Sequence, residues 1–240
     1  MSYIVNPKSD GSGILCVIPQ KGKCLVGCKD CFFNEGRSFL EPLEENTPNM
    51  PTVEQTEGYV VRINDGNDSC YQRDFVIEST NSYKERFFNT SMNKDLGSFP
   101  APVVLTVNPA GMTDKSFHKV DPIPTNLMYV RVRTNLWNLN TVLAPAIAYY
   151  KERKIDTVIT FMAYYGESIP EEYQQYYTFK KRTLNSYWVL NSDKCYEIAE
   201  KFKGPHVYTC GHGPDEYSCA TCGNCLRAYF KTREKIRKAS

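Results

Sequence analysis

Three cysteines near the start of the chain, Cys24, Cys28 and Cys31, are separated by three and then two residues. Thiolates are ligands for soft metals and for iron–sulfur clusters, and a four-iron cubane needs four outer ligands. A loop that supplies only three thiolates leaves one iron open to an exogenous group. Gly27 lets the backbone turn closely before the middle cysteine. The spacing favours one [4Fe-4S] cluster on one loop, and a structural zinc site is the alternative.

A second group of cysteines lies near the C-terminus. Its members are Cys210, Cys219, Cys222 and Cys225, which are separated by eight, two and two residues. Four thiolates complete a coordination shell without an outside ligand, so we predict a closed second metal centre, either a second [4Fe-4S] cluster or a cysteine-only zinc site. A short segment of this kind buries little apolar surface, so its order depends on metal binding.

Three further cysteines, Cys16, Cys70 and Cys195, stand apart from both groups. Isolated cysteines in apolar segments are usually buried small hydrophobes, and we predict that these three are structural. Two tight groups of cysteines are typical of metal sites rather than of a disulfide framework. Cysteine usage therefore indicates a reducing compartment.

Composition places the chain among ordinary globular proteins. It has 240 residues, of which 41% are hydrophobic and 23% charged, enough for a full core in one domain or two. The net charge of +2 gives no strong field for nucleic acid or membrane, although residues 226–240 contain six Lys or Arg and one Glu. The N-terminus lacks a basic and then apolar run, and no apolar stretch approaches the ~20 residues of a membrane span. We therefore expect a cytoplasmic protein with no membrane partner.

Apolar runs that alternate with helical segments predict an α/β fold with a parallel sheet. The predicted strands are residues 13–18, 58–63, 86–91, 102–109, 127–135, 155–162 and 205–210. The predicted helices are 79–86, 140–154 and 192–203, with a loop over 34–57 and a tyrosine-rich rim segment over 163–186. Polar residues follow several strands, which indicates a site at the carboxyl rim.

At Cys24, Cys28 and Cys31 the chain resembles the radical S-adenosylmethionine (radical SAM) superfamily, whose signature loop has this spacing and follows the first strand of a barrel. The resemblance implies a partial (β/α)6-type barrel of parallel strands. It also implies that SAM chelates the open iron and that an electron, from a donor such as flavodoxin or ferredoxin, cleaves SAM to a 5′-deoxyadenosyl radical. The residue before the last cysteine is usually aromatic in the family and is Asp30 here.

The resemblance also suggests SAM contacts by position along the strands. Asn67 and Asp68 stand where a Gly-Gly-Glu-like motif holds the SAM amino group, and Asn108 resembles a residue that contacts the ribose. Arg131 or Arg133 is a candidate to pair with the SAM carboxylate or with a substrate anion. Met162 is a candidate to lie beside the adenine. The alternatives are a turn former for Asn108, surface arginines and a core methionine. We expect Asp68 to be solvent-accessible, so that its removal affects SAM binding more than stability.

Two classes of function follow. The first is an oxidoreductase-type radical SAM enzyme, in which residues 1–204 form the barrel and residues 205–240 a cysteine-rich extension with an auxiliary cluster and a basic helix. The second is a non-catalytic module stabilised by zinc or iron–sulfur, with nucleic acid as the candidate partner of its basic tail. The sequence leaves the substrate open among a small molecule, a peptide and a nucleotide.

Overall fold

The computed structural model describes residues 2–108, 119–165, 168–182, 186–210 and 218–239. Its strands are β1 Ile14–Val17, β2 Val60–Ile63, β3 Arg86–Thr90, β4 Val103–Val107, β5 Leu127–Thr134, β6 Thr157–Phe161, β7 Ala163–Tyr164, β8 Tyr177–Lys180, β9 Tyr187–Leu190 and β10 Val207–Thr209. The α-helices are α1 Leu43–Asn46, α2 Arg73–Ser79, α3 Ala144–Glu152, α4 Glu171–Gln174, α5 Ser192–Lys201, α6 Cys219–Cys222 and α7 Asn224–Ala239. Short 3₁₀ turns cover Glu54–Thr56, Leu96–Ser98 and Leu136–Asn138, and a π-helical turn over Leu139–Leu143 leads into α3.

Seven strands form a parallel sheet in the order β1-β2-β3-β4-β5-β6-β10. Each strand pairs with the next one of this sheet in the chain, so the sheet grows in one direction from β1. Crossovers between parallel strands are right-handed, which puts the connecting helices on one face. This α/β architecture confirms the predicted fold class, and its strand order is compatible with a partial barrel.

The two faces of the sheet pack against different helices. On one face, side chains such as Val61, Leu105 and Val132 share a core with residues of α2, α3 and α5. On the opposite face, Val60, Phe87, Val104, Tyr129 and Val158 pack against Ala228 and Tyr229 of α7. We call this second surface the α7 face. Within the predicted extension of residues 205–240, β10 is an edge strand of this sheet and α7 packs against it.

A second, smaller sheet follows β6. Its strands are antiparallel in the order β7-β9-β8. Trp137 stands at the centre of an aromatic cluster beneath this sheet, with ring centres 5.1 Å from Tyr164, 5.6 Å from Tyr173 and 6.2 Å from Tyr177. The rim segment predicted over residues 163–186 therefore contains strands and buried tyrosines.

The predicted helices differ in accuracy. The helix predicted over residues 79–86 is wrong, since α2 ends at Ser79 and a turn leads into β3. The helix predicted over 140–154 is present, but it starts as a π-helical turn and becomes α-helical at Ala144, with Pro145 in the first turn where its missing N–H costs little. In the part of the chain that the structure describes, no helix has the length and apolar character needed to cross a membrane.

Candidate functional site

The loop that bears Cys24, Cys28 and Cys31 leaves the carboxyl end of β1 and is closed by one asparagine. Asn34 accepts a hydrogen bond from the Cys24 backbone N–H at 3.0 Å and donates its amide to the Cys24 carbonyl at 2.7 Å. Gly27 has φ +70° and Asp30 has φ +54°. Both values lie in the left-handed region, which is accessible to glycine and tolerated by Asp. The turn expected at Gly27 is confirmed.

A phenylalanine after the last cysteine packs the loop against the end of β2. Phe33 is buried, and its ring lies so close to Gly66 that a Cβ there would be 2.1 Å from Cδ2. Gly66 is therefore required for close approach of the two segments. This contact places the cysteine loop beside Asn67 and Asp68.

Three further contacts tie the loop to the carboxyl ends of β3, β4 and β5. The Cys28 Sγ lies 3.8 Å from the Ser91 Oγ. Asn108 donates its amide to the Lys29 carbonyl at 3.4 Å, and Arg133 donates to the Asp30 carbonyl at 3.3 Å. The structure thus brings Asn108 and Arg133 together with the three cysteines, as parallel strands with a common carboxyl edge require.

Asp68 has a different setting from the one expected. Its side chain is 4% exposed. Oδ1 accepts hydrogen bonds from the Cys70 N–H at 2.8 Å and the Thr90 hydroxyl at 2.7 Å, and Oδ2 accepts from the Ser91 N–H at 2.6 Å and the Ser91 hydroxyl at 2.7 Å. The expectation of a solvent-accessible carboxylate is wrong, because these four donors join the ends of β2 and β3 through it and occupy its acceptor sites.

Two amide groups near the loop retain hydrogen-bonding capacity. The Asn67 Nδ2 and the Asn108 Oδ1 are buried and have no hydrogen-bond partner among the described residues. The whole Asn108 residue is also buried, with 9% exposure. Nearly all buried polar atoms in proteins have a hydrogen-bond partner. Two unpaired atoms at the carboxyl edge of the sheet therefore make this edge a candidate for ligand binding. Both residues stay candidates for SAM contacts.

The other two predicted contacts lie elsewhere. Met162 is buried in the core, and the Tyr164 hydroxyl lies 2.9 Å from its Sδ. Arg131 lies on the α7 face and donates to the Tyr129 hydroxyl at 3.1 Å, which is itself 3.1 Å from the Cys225 Sγ. Arg131 is therefore associated with the second cysteine group, whereas Arg133 is associated with the first.

The second cysteine group is attached to the sheet at its β10 edge. The Cys210 N–H donates to the Ile159 carbonyl at 2.8 Å, and Cys219 donates to the Lys8 carbonyl at 2.9 Å. The side chain of Ser218 caps α6, and Gly223 with φ +61° ends it before α7 begins. The segment is therefore held at both ends by the parallel sheet and by the N-terminal region.

Burial dominates the electrostatics of the thiols. It raises the pKa of Cys24 to about 12 and that of Cys219 to about 11, because a thiolate loses its hydration there. Burial raises the pKa of Cys210 as well. The positive charges oppose burial: Arg62 lowers the pKa of Cys219, and Arg131 lowers the pKa of Cys210. The second group therefore faces two buried guanidinium groups on the α7 face.

Cysteine thiols are the donors that this chain offers to a metal centre. Within residues 2–108, 119–165, 168–182, 186–210 and 218–239, no three His, Cys, Asp or Glu side chains form a group that could hold a metal ion. All ten cysteines are free thiols, and two sets of them are carried by single segments. Around them the α7 face holds buried polar atoms without a partner in the described chain, namely Arg62 Nε, Asn89 Oδ1 and Thr160 Oγ1. Cysteine is the donor type that thiolate-bound metal centres use, but the described thiols are not gathered into a group that could hold one.

Sequence reasoning missed three residues of this region. Asn34 closes the cysteine loop, Arg62 forms a 2.6 Å ion pair with Asp65 beside Cys16, and Arg37 stacks on two tyrosines. Alternation in β2 places Arg62 on the α7 face with Val60, which was a usable signal. The positions of Asn34 and Arg37 depend on loop contacts that leave no periodic pattern.

The chain was compared with protein-family models, with curated proteins and with solved structures, and nothing matched.

Proposed function

We propose that this protein is a radical SAM enzyme with a partial-barrel fold. The observation that supports it most is the position of Cys24, Cys28 and Cys31 on one loop at the carboxyl end of β1, in a parallel sheet whose strands follow chain order. That is the place and the spacing that the family uses for its cluster.

In this proposal the chain's own groups bind and orient the cofactors. Cys24, Cys28 and Cys31 hold a [4Fe-4S] cluster, and the unpaired Asn67 Nδ2 and Asn108 Oδ1 hydrogen-bond SAM. When bound, the cluster would pass one electron, received from an external donor such as flavodoxin or ferredoxin, to the SAM sulfonium, and the chemistry supplied would be reductive cleavage followed by hydrogen abstraction from substrate. Asn34, Phe33 and Gly66 hold the loop in register with the end of β2.

The second group is proposed as an auxiliary [4Fe-4S] cluster, with zinc as the alternative. Cys210, Cys219, Cys222 and Cys225 supply four thiolates and need no outside ligand. A centre with four thiolates is anionic, and the nearby guanidinium groups of Arg62 and Arg131 favour negative charge there.

The alternative function, a non-catalytic module that binds nucleic acid through its basic helix, has less support. Two basic side chains of α7 are paired with acidic residues of the sheet region: Lys231 with Asp156 at 3.3 Å, and Arg233 with Glu85. Tyr229 of the same helix is buried against the sheet. One side of this helix therefore serves packing.

Metal analysis of the anaerobically reconstituted protein tests both centres. We expect about eight irons in the wild type, from four per cubane, and about four in a variant lacking Cys219 and Cys222. If the second site takes zinc, the wild type keeps about four irons and one zinc. Full iron content in Cys24→Ala, Cys28→Ala and Cys31→Ala would contradict the first site. Neither metal at the second site, with its four thiols free, would contradict the second.

A further inference from the structure

A guanidinium group is held at the rim beside the cysteine loop. The Arg37 Cζ lies 5.0 Å from the ring centre of Tyr165 and 5.6 Å from that of Tyr187. Tyr165 donates its hydroxyl to the Glu35 carbonyl. Cation–π contacts attract the guanidinium to both rings, so the cysteine loop and the small sheet together fix its position.

Part of the hydrogen-bonding capacity of Arg37 is not used. Its Nε and Nη2 are buried and have no acceptor among the described residues, and no ion pair of Arg37 occurs in that part of the chain. Burial raises the pKa of Tyr165, whereas the charge of Arg37 and a side-chain hydrogen bond between Arg37 and Tyr165 lower it. Neither Glu35 nor Glu41 forms an ion pair with Arg37. Buried donors of a charged group are costly to leave unpaired, which indicates a missing anionic acceptor.

A second guanidinium contacts the cysteine loop itself. Arg133 projects from the carboxyl end of β5 and donates to the neutral Asp30 carbonyl. Burial lowers the pKa of Arg133, Cys31 and Tyr164 raise it, and the positive charge of Arg37 lowers it. The Asp30 carboxylate accepts a hydrogen bond from the Ser168 hydroxyl at 2.7 Å and pairs with neither arginine. Arg37 and Arg133 thus both lie at the cysteine loop, and neither forms an ion pair with a carboxylate in the described chain.

We infer that Arg37 and Arg133 bind an anionic group of the substrate, a phosphate or a carboxylate, beside the cysteine loop. The inference rests on the proposed function, because it assigns the anion to the substrate of that site. Each guanidinium presents a planar fork of donors that matches two oxygens of such a group. Stacking on Tyr165 and Tyr187 holds the Arg37 fork ready, which reduces the entropy lost on binding.

Titration of the reconstituted full chain with inorganic phosphate and with acetate, followed by calorimetry, tests the site. We expect one of the two probes to bind at a single site. Arg37→Gln should raise the dissociation constant of that probe at least about tenfold. The probe that binds more tightly identifies the group. Arg153→Gln is the matched control, since Arg153 also stacks on a tyrosine, 3.6 Å from the Tyr149 ring centre, but is paired with Glu152. It should change affinity less than about twofold.

A purely structural role for Arg37 makes a different prediction. Arg37→Gln would then lower the melting temperature more than Arg153→Gln does and leave anion affinity unchanged, which would overturn the inference. Equal weakening by both variants, or no saturable binding of either probe, would also overturn it. Displacement of the probe by SAM would assign the site to the cofactor instead. Because the titration does not require SAM cleavage, failure of this inference and failure of the proposed enzyme activity are distinguishable.

Discussion

The carboxylate of Asp68 allows a sharp test of how the carboxyl edge is built. In Asp68→Ala, the backbone N–H groups of Cys70 and Ser91 lose their acceptor, while the hydroxyls of Thr90 and Ser91 can rotate. Two buried N–H groups without a partner cost about 2–6 kcal/mol together. We expect about 3 kcal/mol, since Cys70 and Ser91 are only half-buried. In a domain of this size that corresponds to a melting temperature about 6–12 °C lower.

Urea and thermal unfolding of the metal-free protein measure this loss. Asp68→Asn keeps the shape but sets an amide donor against other donors, so we expect a loss of similar size. Asp10→Ala removes an exposed aspartate and should change stability by less than about 0.5 kcal/mol. If Asp68→Ala is as stable as Asp10→Ala, the four hydrogen bonds contribute nothing and the reasoning is refuted.

Three other substitutions test the packing. Gly66→Ala should destabilise by about 1–3 kcal/mol and reduce iron uptake, because its Cβ has no room, whereas Gly204→Ala, with nothing within 4 Å, should do neither. Tyr229→Ala should lower the free energy of unfolding in urea by about 3–5 kcal/mol, since Tyr229 is 1% exposed. Phe230→Ala should lower it far less, because Phe230 is 55% exposed. Equal losses in the two variants would contradict the packing of α7 on the sheet. Burial raises the pKa of Cys195 to about 12, so the folded state favours the thiol. The stabilisation from the buried Cys195 thiol is fully present below the unfolded-state pKa of about 8.5 and is lost as pH rises towards 12. The difference in unfolding free energy between wild type and Cys195→Ala should therefore shrink as pH rises through that window.

Strand positions were accessible from the sequence because each strand is a short apolar run bounded by turn residues. The run at Val103–Val107 and the alternation at Leu127–Thr134 are local signals, and both strands form where they were predicted. The small sheet was missed because β8 and β9 have only four residues each and lie next to polar, tyrosine-rich chain. These strands pair with each other, and Tyr177 of β8 packs against Trp137. Such contacts between distant residues leave no periodic pattern.

The candidate site shows the same division. The spacing of Cys24, Cys28 and Cys31 predicted a loop after β1, which the structure has. The burial of Asp68 depends on Thr90 and Ser91, more than twenty residues away, so no local pattern shows it. The stacking of Arg37 likewise needs the antiparallel sheet to be in place.

Formation of 5′-deoxyadenosine tests the central claim most directly. The wild-type protein, reconstituted with iron and sulfide under anaerobic conditions, is mixed with SAM and dithionite, and the product is measured by chromatography. We predict that wild type forms it, that Cys28→Ala does not, and that Cys70→Ala, which removes a thiol outside both groups, forms as much as wild type. A wild type that has its full iron content and forms none, or a Cys28→Ala variant that forms as much as wild type, would contradict the account.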